Sequence, residues 1–194
     1  TMKRLALLFA LCLTLLLSAC SSPAASGTPS PSPSSSAPEE ETPGVLSSFT
    51  AVDLEGNDIT QSVLEGHTLT MVNVWATFCT PCIGEMPDLG ELAAEYEEKG
   101  VQIIGLVSDV LDAEGAVDED QLSLAQDIVE QTGANYLHII PGSDLYPLLY
   151  QITSVPTTFF VDETGTQVGY TYLGAKEKED WQAILDDLLE EVAP

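Results

Sequence analysis

Two cysteines separated by two residues directly follow an apolar, strand-like segment that runs from Val72 to Phe78. A helix that begins at Cys79 would place that sulfur among unpaired backbone N–H groups at the positive end of the helix dipole, where the thiolate is favoured over the thiol. Cys82, one helical turn further on, would then lie close enough to attack a mixed disulfide on Cys79. The spacing therefore predicts a redox dithiol, with Cys79 as the nucleophile and Cys82 as the resolving cysteine.

The other two cysteines belong to the N-terminal segment. Lys3 and Arg4 precede a short apolar run that contains Cys12 and ends just before Cys20. A basic start followed by an apolar run too short for a comfortable membrane span is typical of an export signal, with an uncleaved anchor helix as the alternative. We therefore predict a signal peptide over residues 1–19.

The end of this run, Leu-Ser-Ala-Cys over residues 17–20, resembles a bacterial lipobox. The resemblance implies cleavage before Cys20 and attachment of lipid to that cysteine, whereas Cys12 is discarded with the signal. Residues 20–44 then form a linker that is rich in Ser and Pro and predicted to be disordered, because it has little apolar surface to bury. One globular domain is expected over residues 45–194.

Two other roles for the Cys79–Cys82 pair are open at this point. A structural zinc site needs four ligands, and the only further candidates are His67 and His138, which stand singly and far apart in the sequence. A structural disulfide across so short a loop would add little stability, because it constrains little of the unfolded chain. The sequence favours a catalytic dithiol without a metal, and we interpret the two histidines as loop and core-edge residues.

The chain is strongly acidic. It carries 31 Asp and Glu residues against 5 Lys and Arg, for a net charge of −26 at pH 7. This charge excludes nucleic acid as a partner and opposes binding to an anionic membrane surface, so membrane attachment requires the lipid at Cys20. Acidic residues are concentrated in the insert Ser108–Gln121, which we interpret either as a specificity loop or as a solvated connection.

Apolar periodicity predicts strands that alternate with helices. The helix after Cys79 carries apolar residues at three- and four-residue spacing, ends at Gly100 and contains Pro87, which is expected to kink it. This alternation indicates an α/β fold with a mixed central β-sheet. The other predicted elements are a hairpin over Phe49–Ile59, strands over Leu69–Trp75, Val101–Val107, His138–Ile140, Thr157–Val161 and Gln167–Tyr172, and helices ending at Gly133, spanning Leu145–Tyr150 and closing the chain.

These stretches resemble the thioredoxin superfamily, and most closely its membrane-anchored TlpA/ResA-like thiol-disulfide oxidoreductases. The resemblance spans Phe49 to about Val192 and implies a thioredoxin-like fold, in which helices flank the mixed sheet and a β-hairpin stands at the N-terminus. The matching residues are Val74–Cys82, Glu85–Pro87, Ser154–Asp162 and Gly165.

The resemblance also implies how the site is built. Pro156 is expected to follow a cis peptide bond and to face the dithiol, while Val155 offers its backbone to a substrate strand and Trp75 contributes to the same binding surface. Glu85, three residues past Cys82, is expected to lie near the dithiol and to take part in its proton chemistry. The alternative for Glu85 is a solvated acid that only favours the helix dipole. Asn73 stands where many cytoplasmic thioredoxins carry a buried acid.

Together these features predict a lipid-anchored, extracytoplasmic oxidoreductase that reduces the disulfides of exported proteins. By resemblance, its clients are apocytochromes or methionine sulfoxide reductases, and a CcdA/DsbD-type membrane carrier returns the electrons. No cofactor is expected beyond the redox-active disulfide. Two alternatives stay open: an oxidant that installs disulfides, and a non-catalytic lipoprotein binding module on the same scaffold.

Overall fold

A seven-stranded mixed β-sheet organises residues 44–192, the part of the chain that this computed structural model describes. The predicted signal peptide, Cys20 and nearly all of the predicted linker lie outside these residues. The order of strands across the sheet is β2-β1-β5-β4-β3-β6-β7. The strands are β1 (Thr50–Asp53), β2 (Asp58–Thr60), β3 (Leu69–Trp75), β4 (Val101–Val107), β5 (Leu137–Pro141), β6 (Thr157–Val161) and β7 (Gln167–Leu173).

The centre of the sheet is parallel and its edges are antiparallel. Strands β3, β4 and β5 pair in parallel, whereas the β1–β2 hairpin joins β5 and the β6–β7 pair joins β3 in the antiparallel sense. Every residue of β3 is buried, as expected for an apolar strand covered on both faces. The predicted α/β fold with a mixed sheet and an N-terminal hairpin is confirmed.

Within residues 44–192, four helices complete the fold, and the end of α1, the start of α2 and both ends of α3 differ from the prediction. They are α1 (Thr80–Tyr96), α2 (Glu119–Thr132), α3 (Tyr146–Leu149) and α4 (Lys178–Val192). Helix α1 continues through Pro87 but passes into a 3-10 turn before Gly100, whose positive φ of 81° leads the chain into β4. Helix α2 begins inside the acidic insert, because the Asp118 carboxylate caps its first N–H groups. No helix of the described residues is long and apolar enough to span a membrane.

The two faces of the sheet carry separate cores. Val72 and Val74 point to the face that is covered by the segment before β1 and by α3, where Phe49 and Leu145 are buried. Trp75 and the other alternate residues of β3 point to the opposite face, under α1, α2 and α4. The dithiol therefore sits over the second face, at the carboxyl end of the parallel strands.

Candidate active site

The dithiol stands at the junction of β3 and α1. Strand β3 ends at Trp75, and Cys79 is the N-cap of α1, where its sulfur accepts a hydrogen bond of 3.3 Å from the backbone N–H of Cys82. Cys79 and Cys82 form a disulfide, with their Cα atoms 5.3 Å apart. Cys79 retains 5% of its surface and Cys82 none, so an incoming disulfide reaches Cys79 first. A sulfur in this position faces the positive end of the helix.

The loop between Trp75 and Cys79 is held by Asp109. The Asp109 carboxylate accepts hydrogen bonds from the Thr77 backbone N–H at 2.9 Å and from the Thr77 hydroxyl at 2.7 Å. The contact exists because β3 and β4 are parallel and in register, so that the residues following both strands meet at one edge. Sequence reasoning placed Asp109 in the acidic insert and missed this role. Asp109 stands two residues past the end of β4, and this position was the signal in the sequence that could have indicated its contact with the loop after β3.

Glu85 lies one helical turn past Cys82 on α1 and is buried, with only 3% of its surface exposed. One carboxylate oxygen accepts a hydrogen bond of 2.9 Å from the Asn73 amide. The other accepts bonds from the Lys176 backbone N–H at 3.1 Å and from the Trp181 indole at 3.4 Å. Burial raises the pKa of Glu85, although these donors act in the opposite direction. The structure thus rejects the alternative of a solvated helix-face acid.

A cavity of about 280 Å³ leads from the surface to Glu85. Its wall is formed by the first turns of α1 and by the segment before α4, and includes Pro81, Asp88 and Lys176. Glu85 lines the cavity although it is almost fully buried. The carboxyl group can therefore exchange protons with solvent through this cavity, whose lining does not include Cys79.

The segment before β6 lies against the dithiol. The Val155–Pro156 peptide bond is cis, the geometry that the resemblance implies. Pro156 is buried, whereas Val155 is half-buried and packs against the apolar cluster that contains Cys79 and Cys82. No group among residues 44–192 pairs with the backbone N–H or C=O of Val155. These two groups are available to a substrate strand, as in other cases of strand addition.

The assignment of Trp75 to the substrate surface needs correction. The Trp75 side chain is fully buried and forms the floor beneath the dithiol, so a bound protein does not touch it in this conformation. The reason is strand alternation, which turns the last residue of β3 towards α1 and α2. Phe78, directly before Cys79, is 76% exposed and is therefore an accessible aromatic side chain next to the dithiol.

His138 is buried in the core, where it packs behind Trp75. The prediction that it lies at the edge of the core is therefore wrong. Its ring packs edge-on against Trp75, with centroids 5.6 Å apart, and its Nε2 lies 3.1 Å from the Ala134 carbonyl oxygen. Burial lowers the pKa of His138 to about 4, so the ring is neutral at physiological pH. Gly105 lies beside it in register, and a Cβ there would collide with the imidazole. His138 is therefore a packing residue of this site.

The remaining predicted site residues are placed as follows. Cys20 lies outside the described residues. Within residues 44–192, no group of three or more His, Cys, Asp or Glu side chains is arranged to hold a metal ion. Asn73, Cys79, Cys82, Glu85, Val155 and Pro156 are brought to one region of the fold, between β3, α1 and the start of β6.

Comparison with known proteins finds relatives across this whole region. The AhpC/TSA family model matches residues 44–168. Thiol-disulfide oxidoreductase ResA from Bacillus thuringiensis (strain Al Hakam) is 32% identical over 139 residues, which cover 71% of this chain and 73% of that protein. The family match therefore includes both cysteines, Glu85 and the cis-proline segment.

Solved structures show the same fold. A thioredoxin-family thiol:disulfide interchange protein from Chlorobium tepidum TLS superposes with a TM-score of 0.62 at 24% identity, covering 77% of this chain and 99% of that chain. A secreted disulfide oxidoreductase from Mycobacterium tuberculosis, described as homologous to E. coli DsbE, superposes with a TM-score of 0.57 at 20% identity, covering 72% of this chain and 96% of that chain. At these identities the likeness concerns the fold alone.

Proposed function

Because this chain belongs to the AhpC/TSA family and is related to the ResA thiol-disulfide oxidoreductases, we propose that it reduces disulfide bonds of exported proteins. Its Cys79–Cys82 pair exchanges thiols and disulfides with protein substrates. The observation that carries the reductive direction is the burial of Glu85 one helical turn past Cys82. A carboxylate there opposes thiolate formation, and neither Thr80 nor Pro81 supplies a cation that would stabilise the reduced form.

The exchange proceeds in two steps. The Cys79 thiolate attacks one sulfur of the client disulfide, so that a mixed disulfide forms and the other client sulfur leaves as a thiolate. The Cys82 thiolate then attacks the Cys79 sulfur and releases the second client thiolate. Two electrons pass from the dithiol to the client, and the enzyme is left with the Cys79–Cys82 disulfide.

Glu85 handles the proton of the resolving cysteine. Cys82 and Glu85 lie three residues apart on α1 and are both buried, so the Cys82 proton has few other acceptors. A carboxyl group with a raised pKa takes up this proton when Cys82 attacks and returns it when the dithiol is restored. The cavity beside Glu85 connects this proton to solvent.

The proposed location and partners rest on the N-terminal sequence and on the resemblance to TlpA/ResA-like proteins. A signal peptide over residues 1–19 exports the chain, and lipid on Cys20 holds it on the extracytoplasmic face of the bacterial cell membrane. A CcdA/DsbD-type carrier restores the dithiol, the clients are apocytochromes or methionine sulfoxide reductases, and no cofactor is used beyond the redox-active disulfide.

The reduction potential tests this direction. We expect the full chain, equilibrated with defined ratios of reduced and oxidised glutathione or dithiothreitol, to lie nearer to thioredoxin at about −270 mV than to the oxidant DsbA at about −120 mV. Dithiothreitol-dependent reduction of insulin measures the activity itself. A potential close to that of DsbA would assign the protein to disulfide formation instead, and absence of insulin reduction would remove the catalytic assignment.

A further inference from the structure

Two connected depressions extend from the dithiol loop along the surface. The first, about 280 Å³, begins at Phe78 and Val155 and includes Ser108 and Leu149. The second, about 290 Å³, shares Ser108 and Leu149 with the first and continues to Leu111 and Tyr150. We call the six residues Phe78, Ser108, Leu111, Leu149, Tyr150 and Val155 the lateral groove.

The lateral groove exposes large aromatic side chains at both ends. Phe78 at the dithiol end is 76% exposed, and Tyr150 at the far end is 83% exposed. Single exposed aromatic residues are common, but two that border one continuous depression indicate contact with another polypeptide. Val155 lies at the dithiol end, where its free backbone groups can pair with an extended chain.

The side of the groove formed by the insert is acidic and carries no balancing cation. Residues 108–121 contain six Asp and Glu residues and no Lys or Arg. The lysines of the described chain lie elsewhere: Lys99 pairs with Asp186, and Lys178 pairs with Glu91 and Glu95. Lys176 lies over the rings of Tyr172 and Trp181. Asp112 lines the second depression, and its charge is therefore free to attract a cationic ligand within about 8–10 Å, the screening length at physiological salt.

Aromatic faces in the same groove also favour cations. Tyr146 and Tyr150 pack edge to face, with centroids 6.5 Å apart. The acidic insert is seated against this pair, since a Cβ on Gly115 would lie 3.1 Å from the Tyr146 hydroxyl. Lys and Arg side chains are attracted to the faces of such rings. The acidic insert and the aromatic rings thus both favour a cationic ligand.

We propose that the lateral groove binds an extended, cationic segment of the client, next to the client disulfide and bearing apolar residues together with Lys or Arg. The inference rests on the proposed reductase function and specifies its substrate class. Apolar residues of the segment contact Phe78 and Leu149, while basic residues face Tyr150 and the insert. The chemistry is unchanged: two electrons pass from the Cys79–Cys82 dithiol to the client disulfide.

Matched disulfide peptides test the preference. Three probes share the same apolar residues beside one disulfide and carry Lys, Gln or Glu at the flanking positions. The full chain, kept reduced by dithiothreitol, should reduce the Lys probe about tenfold faster than the Glu probe in kcat/KM at low salt, because opposite charge steers association. The ratio should shrink as salt is added.

Two pairs of variants locate the preference. Asp112→Asn combined with Glu114→Lys removes charge at the groove and keeps an acceptor for the turn that Asp112 closes. Glu190→Gln combined with Glu191→Lys makes the same net change at the exposed end of α4. Tyr150→Ser is matched by Tyr170→Ser on β7, where Tyr170 is 78% exposed. Only the groove variants should reduce the preference for the Lys probe.

The outcomes separate this inference from the proposed function. Equal rates with all three probes, in a protein that still reduces insulin, contradict the proposal that the lateral groove binds a cationic segment. The proposed reductase function is unaffected by that result. Equal loss of preference in the groove and α4 variants also contradicts the proposal for the groove, since overall charge would then suffice. A protein that reduces neither insulin nor any probe contradicts the proposed function itself.

Discussion

The Asn73 amide donates a hydrogen bond of 2.9 Å to the Glu85 carboxylate and a second bond of 3.0 Å to the Thr158 hydroxyl. Both N–H groups of Asn73 are thereby used, which fixes the amide between β3, β6 and α1. A neutral residue thus orients the buried acid from the sheet, while Glu85 itself comes from the helix that carries the dithiol. Position 73, where many cytoplasmic thioredoxins carry a buried acid, therefore holds Asn73, the neutral hydrogen-bond partner of Glu85.

Replacement of Glu85 by Gln should lower the pKa of the Cys79 thiol and make the potential more oxidising. The change removes a negative charge that opposes thiolate formation but keeps a side chain of the same size. One pKa unit corresponds to about 1.4 kcal/mol, which equals about 30 mV for a two-electron couple. Thiolate absorbance and pH-dependent alkylation of the full chain measure the shift.

Asp88→Asn is the matched control for this measurement. It removes the same charge from α1 beside the same cavity, but Asp88 does not share the bonds from Asn73 and Trp181. A Glu85→Gln protein that titrates within about 0.3 units of the parent, or about 0.4 kcal/mol, would remove Glu85 from the redox site. An equal shift in the Cys79 pKa of the Glu85→Gln and Asp88→Asn proteins would also remove Glu85 from the redox site.

Glu85 should also make stability fall as the pH rises. Because burial raises its pKa above the usual 4.5, the folded chain binds this proton more tightly than the unfolded chain does. Its contribution is therefore complete below pH 4.5 and is lost as the pH rises through the raised pKa. Urea unfolding of the oxidised parent and of Glu85→Gln from pH 4.5 upwards should show this loss in the parent only. Parallel curves would contradict the assignment.

The Cys79→Ser and Cys82→Ser variants should differ in whether they trap mixed disulfides with clients. Cys82→Ser leaves Cys79, the more accessible of the two cysteines, but no resolving thiol, so mixed disulfides with clients should accumulate. Cys79→Ser should abolish exchange, because the remaining sulfur is fully buried. Non-reducing electrophoresis of the full chain after reaction with a disulfide-bearing protein distinguishes the variants. Trapping by Cys79→Ser would reverse the two roles.

Most of the fold was accessible from sequence because the local signals agree. The alternation of apolar runs with helical periodicity gave the order of elements, and Gly133 ends α2 where the pattern predicted. The start of α2 was missed because an acidic stretch serves equally well as a loop or as a capped first turn. Only the hydrogen bonds made by Asp118 decide between them.

The site was only partly accessible, because its missing parts depend on long-range contacts. Cys79 and Cys82 are neighbours in sequence, whereas Asp109 reaches Thr77 from a different strand. The direction of Trp75 was not readable either, since β3 is apolar on both faces and shows no alternation. Burial of Glu85 likewise depends on Lys176 and Trp181, which lie about ninety residues further along the chain.

Cys20→Ala tests the predicted lipid anchor, which lies outside the described residues. Without the acceptor sulfur, the protein should be released from membranes or remain unprocessed, while its exchange activity is retained. Fractionation of cells expressing the full chain, with mass measurement of the mature form, reports both effects. Cys12→Ala is the control, since that cysteine is predicted to be discarded with the signal. Unchanged processing and membrane retention in Cys20→Ala would contradict the lipoprotein assignment.

Titration of His138 should lower the free energy of unfolding as the pH falls below 6.5. Because burial lowers its pKa from 6.5 to about 4, the unfolded chain binds this proton more readily than the folded chain. Its contribution is therefore complete above pH 6.5 and is lost as the pH falls towards 4, by up to about 1.4 kcal/mol per pH unit. This slope is opposite in sign to that expected for Glu85.

The test compares slopes rather than absolute stabilities, since any replacement in this packed position also changes contacts with Trp75 and Tyr136. His138→Leu removes the titrating ring, and His138→Gln removes titration but keeps a polar side chain. Urea unfolding between pH 4 and pH 6.5 should show a steeper loss of stability in the parent than in either variant. If His138→Gln retains the slope of the parent, another group is responsible and the ring is not held neutral by its burial.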